Sequence, residues 1–237
     1  MSSRVAVVTG AARGQGAAIV RRLRAQGYRV VAMDVTRPDS GDPSVVDCQG
    51  DVRREADWQR VVETAVERFG GLHVLVNNAG VLRRAAIEKE TAEGMRELWE
   101  VNCLGAFLGL RAALPALRAA ARQQDAAVVN TLSVAAARGF AHHSAYSSSK
   151  AALRGLTQAA AAELARDRIR VNAVLPGPIA TPMLDPAAVD ALAARIPLGR
   201  AGTAEDVAEV VAFLASPAAS FVTGGEYVVD GGQLLRV

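Results

Sequence analysis

Short runs rich in valine and isoleucine alternate with longer stretches of helical periodicity, and this alternation restricts the possible folds more than any other feature of the chain. The first run is RVAVVTG, and the helical stretch QGAAIVRRLRAQG follows it and ends at Gly27. Strands that alternate with helices of this length predict βαβ units and a parallel sheet. We therefore expect an α/β protein with a doubly wound sheet of about seven strands and helices on both faces.

Further segments repeat both patterns along the chain. The additional strands are predicted in YRVVAMD, SVVDCQGDV, LHVLVNNAG, AAVVNTLS, IRVNAVLPG and GEYVVDGG. Helical spacing occurs in EADWQRVVETAVERFG and in residues 94–122, 145–166 and 203–215. No shift in composition marks a linker, so we expect a single domain over residues 1–237.

One proline-rich stretch, PGPIATPMLDPAAVDALAARIPLGRAG, interrupts this pattern between a predicted strand and a predicted helix. Two interpretations are open: a mobile lid over a binding site, or an ordinary surface connection. If it is a lid, it covers residues 178–200.

Composition and charge narrow the function classes. Hydrophobic residues make up 51% of the chain, enough for a substantial core. The net charge is +3, and the arginines are spread along the chain, which indicates a solvated surface and no nucleic-acid partner.

The first apolar run stops at Gly10, too early for a signal sequence, and no uninterrupted stretch predicts a membrane span. Cys48 and Cys103 lack metal-ligand spacing, so we expect free thiols, no metal and a cytoplasmic location.

A glycine-rich turn follows the first predicted strand. Gly10, Gly14 and Gly16 in VVTGAARGQG stand between that strand and the first helix. Glycine there lets the backbone turn tightly and approach a pyrophosphate at the helix N-terminus. The spacing differs from the general G-x-G-x-x-G fingerprint, but its position predicts a Rossmann-like dinucleotide site.

The second predicted strand ends at Asp34, which bears on cofactor choice. A carboxylate there accepts hydrogen bonds from both ribose hydroxyls of the adenosine and repels a 2′-phosphate, which favours NAD over NADP. Arg13 and Arg37 lie close by in sequence and favour NADP, unless Arg13 pairs locally with Asp34.

The fourth predicted strand, LHVLVNNAG, leads into Asn78, Ala79 and Gly80. An open α/β sheet binds its ligand outside the carboxyl ends of its strands. These three residues are therefore expected to border the cofactor crevice.

Tyr146 and Lys150 lie four residues apart in SAYSSSKAAL, and helical spacing places them on one face. The sequence contains only one other lysine, Lys89, among 27 basic residues. A nearby ammonium is expected to lower the pKa of a phenol, so that Tyr146 can exchange a proton with an alcohol or ketone. Lysine suits this role because its compact cation approaches closely, whereas arginine presents a wide fork.

Other polar residues near this segment have competing interpretations. Ser133 follows a predicted strand and either hydrogen-bonds to a substrate oxygen or forms a local turn. The three serines 147–149 are expected to pack, with no hydrolase triad. His142 and His143 either line a substrate mouth or face solvent, and His73 is expected to be structural.

The chain resembles the short-chain dehydrogenase/reductase family over nearly its whole length. The matching positions are Thr9, Gly10, Gly14, Gly16, Asp51, Asn77, Asn78, Ala79, Gly80, Asn102, Ser133, Tyr146, Lys150, Pro176 and Gly177. Two departures are Gln15, where the family most often has isoleucine or leucine, and Leu132, where a small residue is usual. Some segments look similar to bacterial hydroxysteroid dehydrogenases.

The resemblance implies roles for individual residues. Asn102, Ser133, Tyr146 and Lys150 would be catalytic, with Asn102 holding a water that relays protons. Asp51 and Val52 would flank the adenine, Ile179 and Thr181 would meet the nicotinamide carboxamide, and Met183 would begin an apolar substrate lid. The residues expected to bind the cofactor are Gly10, Arg13, Gly14, Gln15, Gly16, Asp34, Asp51, Val52, Asn78, Ala79, Gly80, Tyr146, Lys150, Pro176, Gly177, Ile179 and Thr181.

These observations predict an oxidoreductase that transfers a hydride between NAD and a secondary alcohol or ketone, with Ser133, Tyr146 and Met183 at the substrate. The apolar surroundings of the site favour a hydrophobic substrate. An NADPH-dependent 3-oxoacyl carrier-protein reductase is the nearest alternative, and a non-catalytic nucleotide sensor or scaffold is an alternative of another class. The family resemblance implies a homotetramer.

Overall fold

A computed structural model describes residues 3–184 and 186–235 of the chain. Its centre is one parallel sheet of seven strands in the order β3-β2-β1-β4-β5-β6-β7. The strands are β1 Val5–Thr9, β2 Arg29–Asp34, β3 Val45–Gln49, β4 Val74–Asn77, β5 Ala126–Thr131, β6 Ile169–Pro176 and β7 Glu226–Val229. The predicted doubly wound α/β fold is confirmed.

Helices cover both faces of the sheet. They are α1 Gly14–Ala25, α2 Glu55–Phe69, α3 Ala92–Trp99, α4 Gly105–Ala121, α5 Ser144–Leu164, α6 Pro186–Ala193 and α7 Ala204–Ala215. Helices α1 and α7 contribute to one hydrophobic cluster, and α2, α4 and α5 contribute to a second on the opposite face. Strands β1, β4, β5 and β6 are buried along their whole length, which explains their near-continuous apolar runs.

The helix predicted over residues 94–122 is not continuous. A π-helical turn, Glu100–Leu104, separates α3 from α4. Such turns insert one extra residue and are frequent at functional sites. Apolar residues continue through all three segments, so helical spacing alone predicts one helix there.

The proline-rich stretch also differs from a simple irregular connection, because it contains α6. Its two ends are joined: Ala180 N–H donates to the Gly202 carbonyl at 2.8 Å, and Gly202 N–H donates to the Pro178 carbonyl at 3.0 Å. The segment from residue 181 to residue 201 is therefore a closed loop anchored beside β6.

The strand order creates a crevice beside β1. The chain moves outward from β1 to β2 and β3, then returns to place β4 on the other side of β1. The carboxyl ends of these strands, at Thr9, Asp34 and Asn77, meet at this switch point, where open α/β sheets bind ligands.

Candidate active site

The glycine turn between β1 and α1 depends on missing side chains. Gly10 and Gly14 have φ angles of +66° and +55°, in the left-handed region that favours glycine. A Cβ on Gly16 would lie 1.9 Å from the Gly10 carbonyl oxygen. Helix α1 begins at this turn without a side-chain cap or an acidic residue in its first turn, so its N–H groups are available to an anion.

Thr9 and Asn78 join the ends of β1 and β4 under this turn. The Thr9 hydroxyl accepts hydrogen bonds from the N–H groups of Asn78 and Ala79, both at 3.0 Å. The Asn78 amide donates to the Thr9 carbonyl at 2.9 Å. Asn78 and Ala79 are thus held against the glycine turn, where the sequence placed the crevice. The bridging role of the Thr9 hydroxyl was not predicted.

The Asp34 carboxylate braces the glycine turn. It accepts hydrogen bonds from Ala12 N–H at 3.0 Å and from Thr36 N–H at 3.2 Å. The side chains of Arg13 and Arg37 are exposed, and the described hydrogen bonds and ion pairs include no contact between Arg13 and Asp34. Asp34 therefore stands at the crevice as a partly exposed carboxylate that its neighbouring arginines do not neutralise by contact.

Asp51 and Val52 follow β3 at the same edge of the sheet. Arg53 pairs with the Asp51 carboxylate at 2.6 Å and holds its pKa below the usual range. Val52 is buried, and its carbonyl accepts a hydrogen bond from the Trp58 indole at 2.9 Å. Their predicted contact with adenine stays a prediction.

Gln15 has an unmatched hydrogen-bonding group. Its Oε1 atom is buried and has no partner among the described residues. A buried polar atom without a protein partner is costly, and either a water or a bound ligand satisfies such an atom. The glycine turn, the free helix N-terminus and this acceptor together fit a dinucleotide whose hydroxyl or amide groups donate to Gln15.

Replacing Gln15 with methionine is expected to stabilise the ligand-free protein and to weaken dinucleotide binding. Methionine fills the same space without the unmatched acceptor, so the unfolding free energy should rise by about 1 kcal/mol. The loss of the ligand contact should raise the Kd for NADH about fivefold. Denaturant unfolding and NADH fluorescence titration measure the two effects. Gln59→Met, on the exposed side of α2, is the matched control. If the two variants had the same unfolding free energy and the same Kd for NADH, the contact between Gln15 and the dinucleotide would be contradicted.

Tyr146 and Lys150 lie on one face of α5, as predicted. The Lys150 Nζ atom is 6.0 Å from the centroid of the Tyr146 ring and donates to the Thr131 carbonyl at 2.8 Å. Only 3% of Lys150 is exposed, and this burial lowers its pKa to about 8. The cation is held in a fixed position between α5 and the end of β5.

The predicted lowering of the Tyr146 pKa is wrong for the structure as it stands. Burial raises the pKa of the phenol, and the Ser133 hydroxyl acts in the opposite direction. Lys150 does not reverse this increase, because desolvation disfavours the phenolate and the ammonium is directed to the Thr131 carbonyl. In this arrangement the Ser133 hydroxyl is the group that favours the phenolate.

Asn102 lies in the π-helical turn and connects three segments around Lys150. Its Oδ1 accepts from Val81 N–H at 2.8 Å, and its Nδ2 donates to the Val81 carbonyl at 3.0 Å and to the Ser149 hydroxyl at 2.9 Å. A Cβ on Gly80 would lie 3.1 Å from Asn102 Oδ1 and 3.3 Å from Lys150 Nζ. The absence of a side chain at Gly80 lets both groups approach. The water relay stays a prediction.

Ser149 corrects the expectation that the three serines only pack. Its hydroxyl accepts from Asn102 and donates to the Tyr146 carbonyl at 2.8 Å. It therefore links the π-helical turn to the backbone of the tyrosine. Sequence alone gave no sign of this role, because it depends on a partner that is remote along the chain.

Ser133 combines both of its predicted interpretations. Its hydroxyl accepts a hydrogen bond from Ala135 N–H at 3.1 Å, which forms a local turn. The same hydroxyl interacts with the Tyr146 phenol and opposes the increase in its pKa. Leu132, the departure from the family pattern, is buried in a separate apolar cluster. The larger side chain thus points away from the phenol into the core.

The beginning of the candidate lid lies over the glycine turn. A Cβ on Gly14 would be 3.5 Å from the Cβ of Thr181, and Ile179 is buried beside Gly202. Gly177 N–H donates to the Val229 carbonyl at 3.0 Å, which places Pro176 and Gly177 at the carboxyl end of β6. Met183 is half-exposed.

Four residues that were given no catalytic role are one histidine, one lysine and the two cysteines. His73 Nδ1 accepts from Val5 N–H at 3.2 Å, at the amino end of the sheet, which is a structural contact. Lys89 is exposed, and Cys48 and Cys103 are free thiols. Within residues 3–184 and 186–235, no cluster of His, Cys, Asp or Glu side chains has the arrangement of a metal site.

Known proteins with this arrangement are dehydrogenases and reductases. A family model described as enoyl-(acyl carrier protein) reductase matches residues 10–233. The chain is 39% identical to a 3-alpha-(or 20-beta)-hydroxysteroid dehydrogenase of Mycobacterium tuberculosis, over 98% of this chain and 89% of that protein. It is 36% identical to trans-4-hydroxycyclohexanecarboxylate dehydrogenase of Sinomonas cyclohexanicum, over 98% and 93%. A 3-ketoacyl-(acyl-carrier-protein) reductase from Brucella melitensis, solved with NADH, superposes with a TM-score of 0.93 at 32% identity and covers 98% of each chain.

Proposed function

The chain belongs to the short-chain dehydrogenase/reductase family and acts on CH–OH groups, and we propose that it interconverts a hydrophobic alicyclic secondary alcohol and its ketone with NAD. The observation that carries this proposal is the grouping of Ser133, Tyr146 and Lys150 at the carboxyl ends of β4 and β5, where Asn78 also contacts the glycine turn. The assembled site gives no support to a non-catalytic sensor or scaffold.

The side chains divide the proton chemistry between them. Ser133 donates a hydrogen bond to the substrate oxygen and holds it next to the Tyr146 hydroxyl. In the direction of oxidation, the Tyr146 phenolate takes the alcohol proton and becomes the neutral phenol; in reduction, the phenol gives its proton to the ketone oxygen and becomes the phenolate. Lys150 supplies positive charge beside the phenol, and the Asn102–Ser149 contacts hold the start of α5 in place. The nicotinamide, when bound, accepts or donates the hydride.

The half-buried carboxylate of Asp34 supports NAD as the cofactor, because it would repel a 2′-phosphate. We expect kcat/KM to be at least about tenfold higher with NADH than with NADPH. Asp34→Asn keeps an oxygen for the Ala12 N–H but removes the charge, so the ratio of kcat/KM with NADH to kcat/KM with NADPH should fall about tenfold. Ketone-reduction assays run in parallel with the two cofactors measure this ratio. Faster turnover with NADPH in the unmodified protein would overturn the proposal.

A 3-oxoacyl carrier-protein reductase is the second candidate, supported by the similarity to the Brucella melitensis structure. Two features favour the alicyclic alcohol. The candidate lid carries the half-exposed, apolar Met183, and the hydroxysteroid and hydroxycyclohexanecarboxylate dehydrogenases are relatives at 39% and 36% identity. Steady-state comparison of cyclohexanone with a 3-oxoacyl thioester distinguishes the two candidates.

We also propose a homotetramer. Met95, Trp99 and Phe107, on α3 and α4, are 40–45% exposed, which suits a helix face that a second copy covers. We expect light scattering to report four times the 24.7 kDa chain mass; a monomer mass would contradict this.

The run Ala92–Ala121, which contains α3 and α4, is long and apolar enough to cross a membrane by length and composition. Its residues Ala113 and Leu117 are fully buried in the core of the protein.

The free thiols of Cys48 and Cys103 support a reducing compartment. We therefore propose a cytoplasmic location. Burial raises the pKa of both thiols, which keeps them protonated and poorly reactive.

A further inference from the structure

Two aromatic side chains of the segment that precedes α5 form successive edge-on ring contacts that lead to Tyr146. The His143 ring meets the Tyr146 ring edge-on, with centroids 6.2 Å apart, and the Phe140 ring meets His143 in the same manner at 6.1 Å. The Arg138 guanidinium lies 5.9 Å from the centre of the Phe140 ring. Phe140 and His143 therefore form a wall on one side of the Tyr146 phenol.

The backbone of this wall has an unusual conformation at His142. Its φ angle is +63°, and Arg168 is the only other non-glycine residue with a positive φ in the described part of the chain. Arg168 simply ends a helical turn, whereas the His142 carbonyl accepts a hydrogen bond from Ala85 N–H at 3.0 Å. Strained backbone of this kind persists where the surroundings hold it and concentrates at functional sites. Here it turns the chain so that His142 is exposed and His143 meets Tyr146.

The hydrogen bonding of His143 defines what its ring can offer to a substrate. Nδ1 lies 2.8 Å from the Ala141 carbonyl oxygen. A carbonyl only accepts, so Nδ1 must carry the proton, and Nε2 of the neutral ring is an acceptor. Within the described part of the chain, Nε2 has no hydrogen-bond partner.

We propose that His143 is a specificity-determining residue that accepts a hydrogen bond from a second hydroxyl group of the substrate. This inference rests on the proposed function, because it requires the reacting oxygen to lie between Ser133 and Tyr146. The substrate ring then packs against Phe140, and its second hydroxyl meets Nε2. The preferred substrates are alicyclic diols, and a single alcohol leaves the acceptor unmatched.

The selectivity between two matched alcohols tests this inference. The measured quantity is kcat/KM for trans-cyclohexane-1,4-diol, corrected for its two equivalent hydroxyls, divided by kcat/KM for cyclohexanol. We expect a ratio of about ten for the unmodified protein, as one additional hydrogen bond provides. His143→Asn keeps a donor near the Nδ1 position but has no acceptor near Nε2, so the ratio should fall to about one. His143→Gln carries an oxygen near the Nε2 position and should restore the preference.

His142→Asn is the matched control, because asparagine tolerates the positive φ and the His142 side chain is exposed. Its ratio should equal that of the unmodified protein. If both alcohols are oxidised and the ratio is about one, or if it is the same in His143→Asn, the role of His143 is refuted while the proposed function stands. If neither alcohol is oxidised with NAD, both proposals fall.

Discussion

Replacing Tyr146 with phenylalanine is expected to lower kcat about 1,000-fold, because the change removes the group that exchanges a proton with the substrate oxygen. Phenylalanine keeps the ring that packs edge-on against His143 and beside Lys150. The fold and the dinucleotide site should therefore be preserved. Steady-state kinetics measure the loss of turnover, and NADH fluorescence titration should give a Kd within about twofold of the original value.

Tyr28→Phe is the control for this experiment. The Tyr28 hydroxyl donates to the Ala215 carbonyl at 3.2 Å, next to the amino end of β2 and far from the crevice. Its loss should cost about 1 kcal/mol of unfolding free energy and leave kcat unchanged. If Tyr146→Phe retained the original kcat, the proton-transfer role of Tyr146 would be excluded.

Replacing Lys150 with arginine is expected to lower kcat at least about 100-fold, although the charge is conserved. The Lys150 ammonium lies in a buried space bounded by the Thr131 carbonyl and by Gly80. A planar guanidinium is wider than this space and would displace the start of α5 or the loop after β4. We therefore expect a lower unfolding free energy as well, measured by denaturant unfolding beside the kinetic assay.

The second lysine of the chain provides the matched control. Lys89 is exposed in a short 3-10 turn, and Lys89→Arg should leave both kcat and stability unchanged. An arginine at position 150 that supports near-original turnover would show that the compact ammonium is not required.

The outcome for the catalytic pair separates what spacing predicts from what it does not. Four residues of helix bring Tyr146 and Lys150 to one face, so sequence alone predicted their proximity correctly. It did not predict the direction of the Tyr146 pKa. That direction depends on how much water the neighbouring elements exclude, and burial outweighs the opposing effect of Ser133.

Three further residues have roles that packing decides and spacing does not predict: Ser149, Asn102 and His143. Their roles come from hydrogen bonds and ring contacts: Ser149 with Asn102, Asn102 with Val81, and His143 with Tyr146. The first two contacts join segments that are distant along the chain, and the third depends on the positive φ of His142. Local patterns do not encode the contacts behind these roles, because Ser149 meets Asn102 from another segment and the Ala85 N–H holds the His142 carbonyl before His143.

The amino-acid sequence by itself determined the parallel α/β architecture, the glycine turn and the helical face of the catalytic pair. These features follow from local rules: strand and helix periodicity, the positive φ that only glycine adopts easily, and 3.6 residues per helical turn. Tertiary structure alone decided the π-helical turn at Asn102, the burial that sets the proton affinities of Tyr146 and Lys150, and the position of His143. Those properties depend on desolvation and on contacts between remote segments, and both exist only once the elements have packed together.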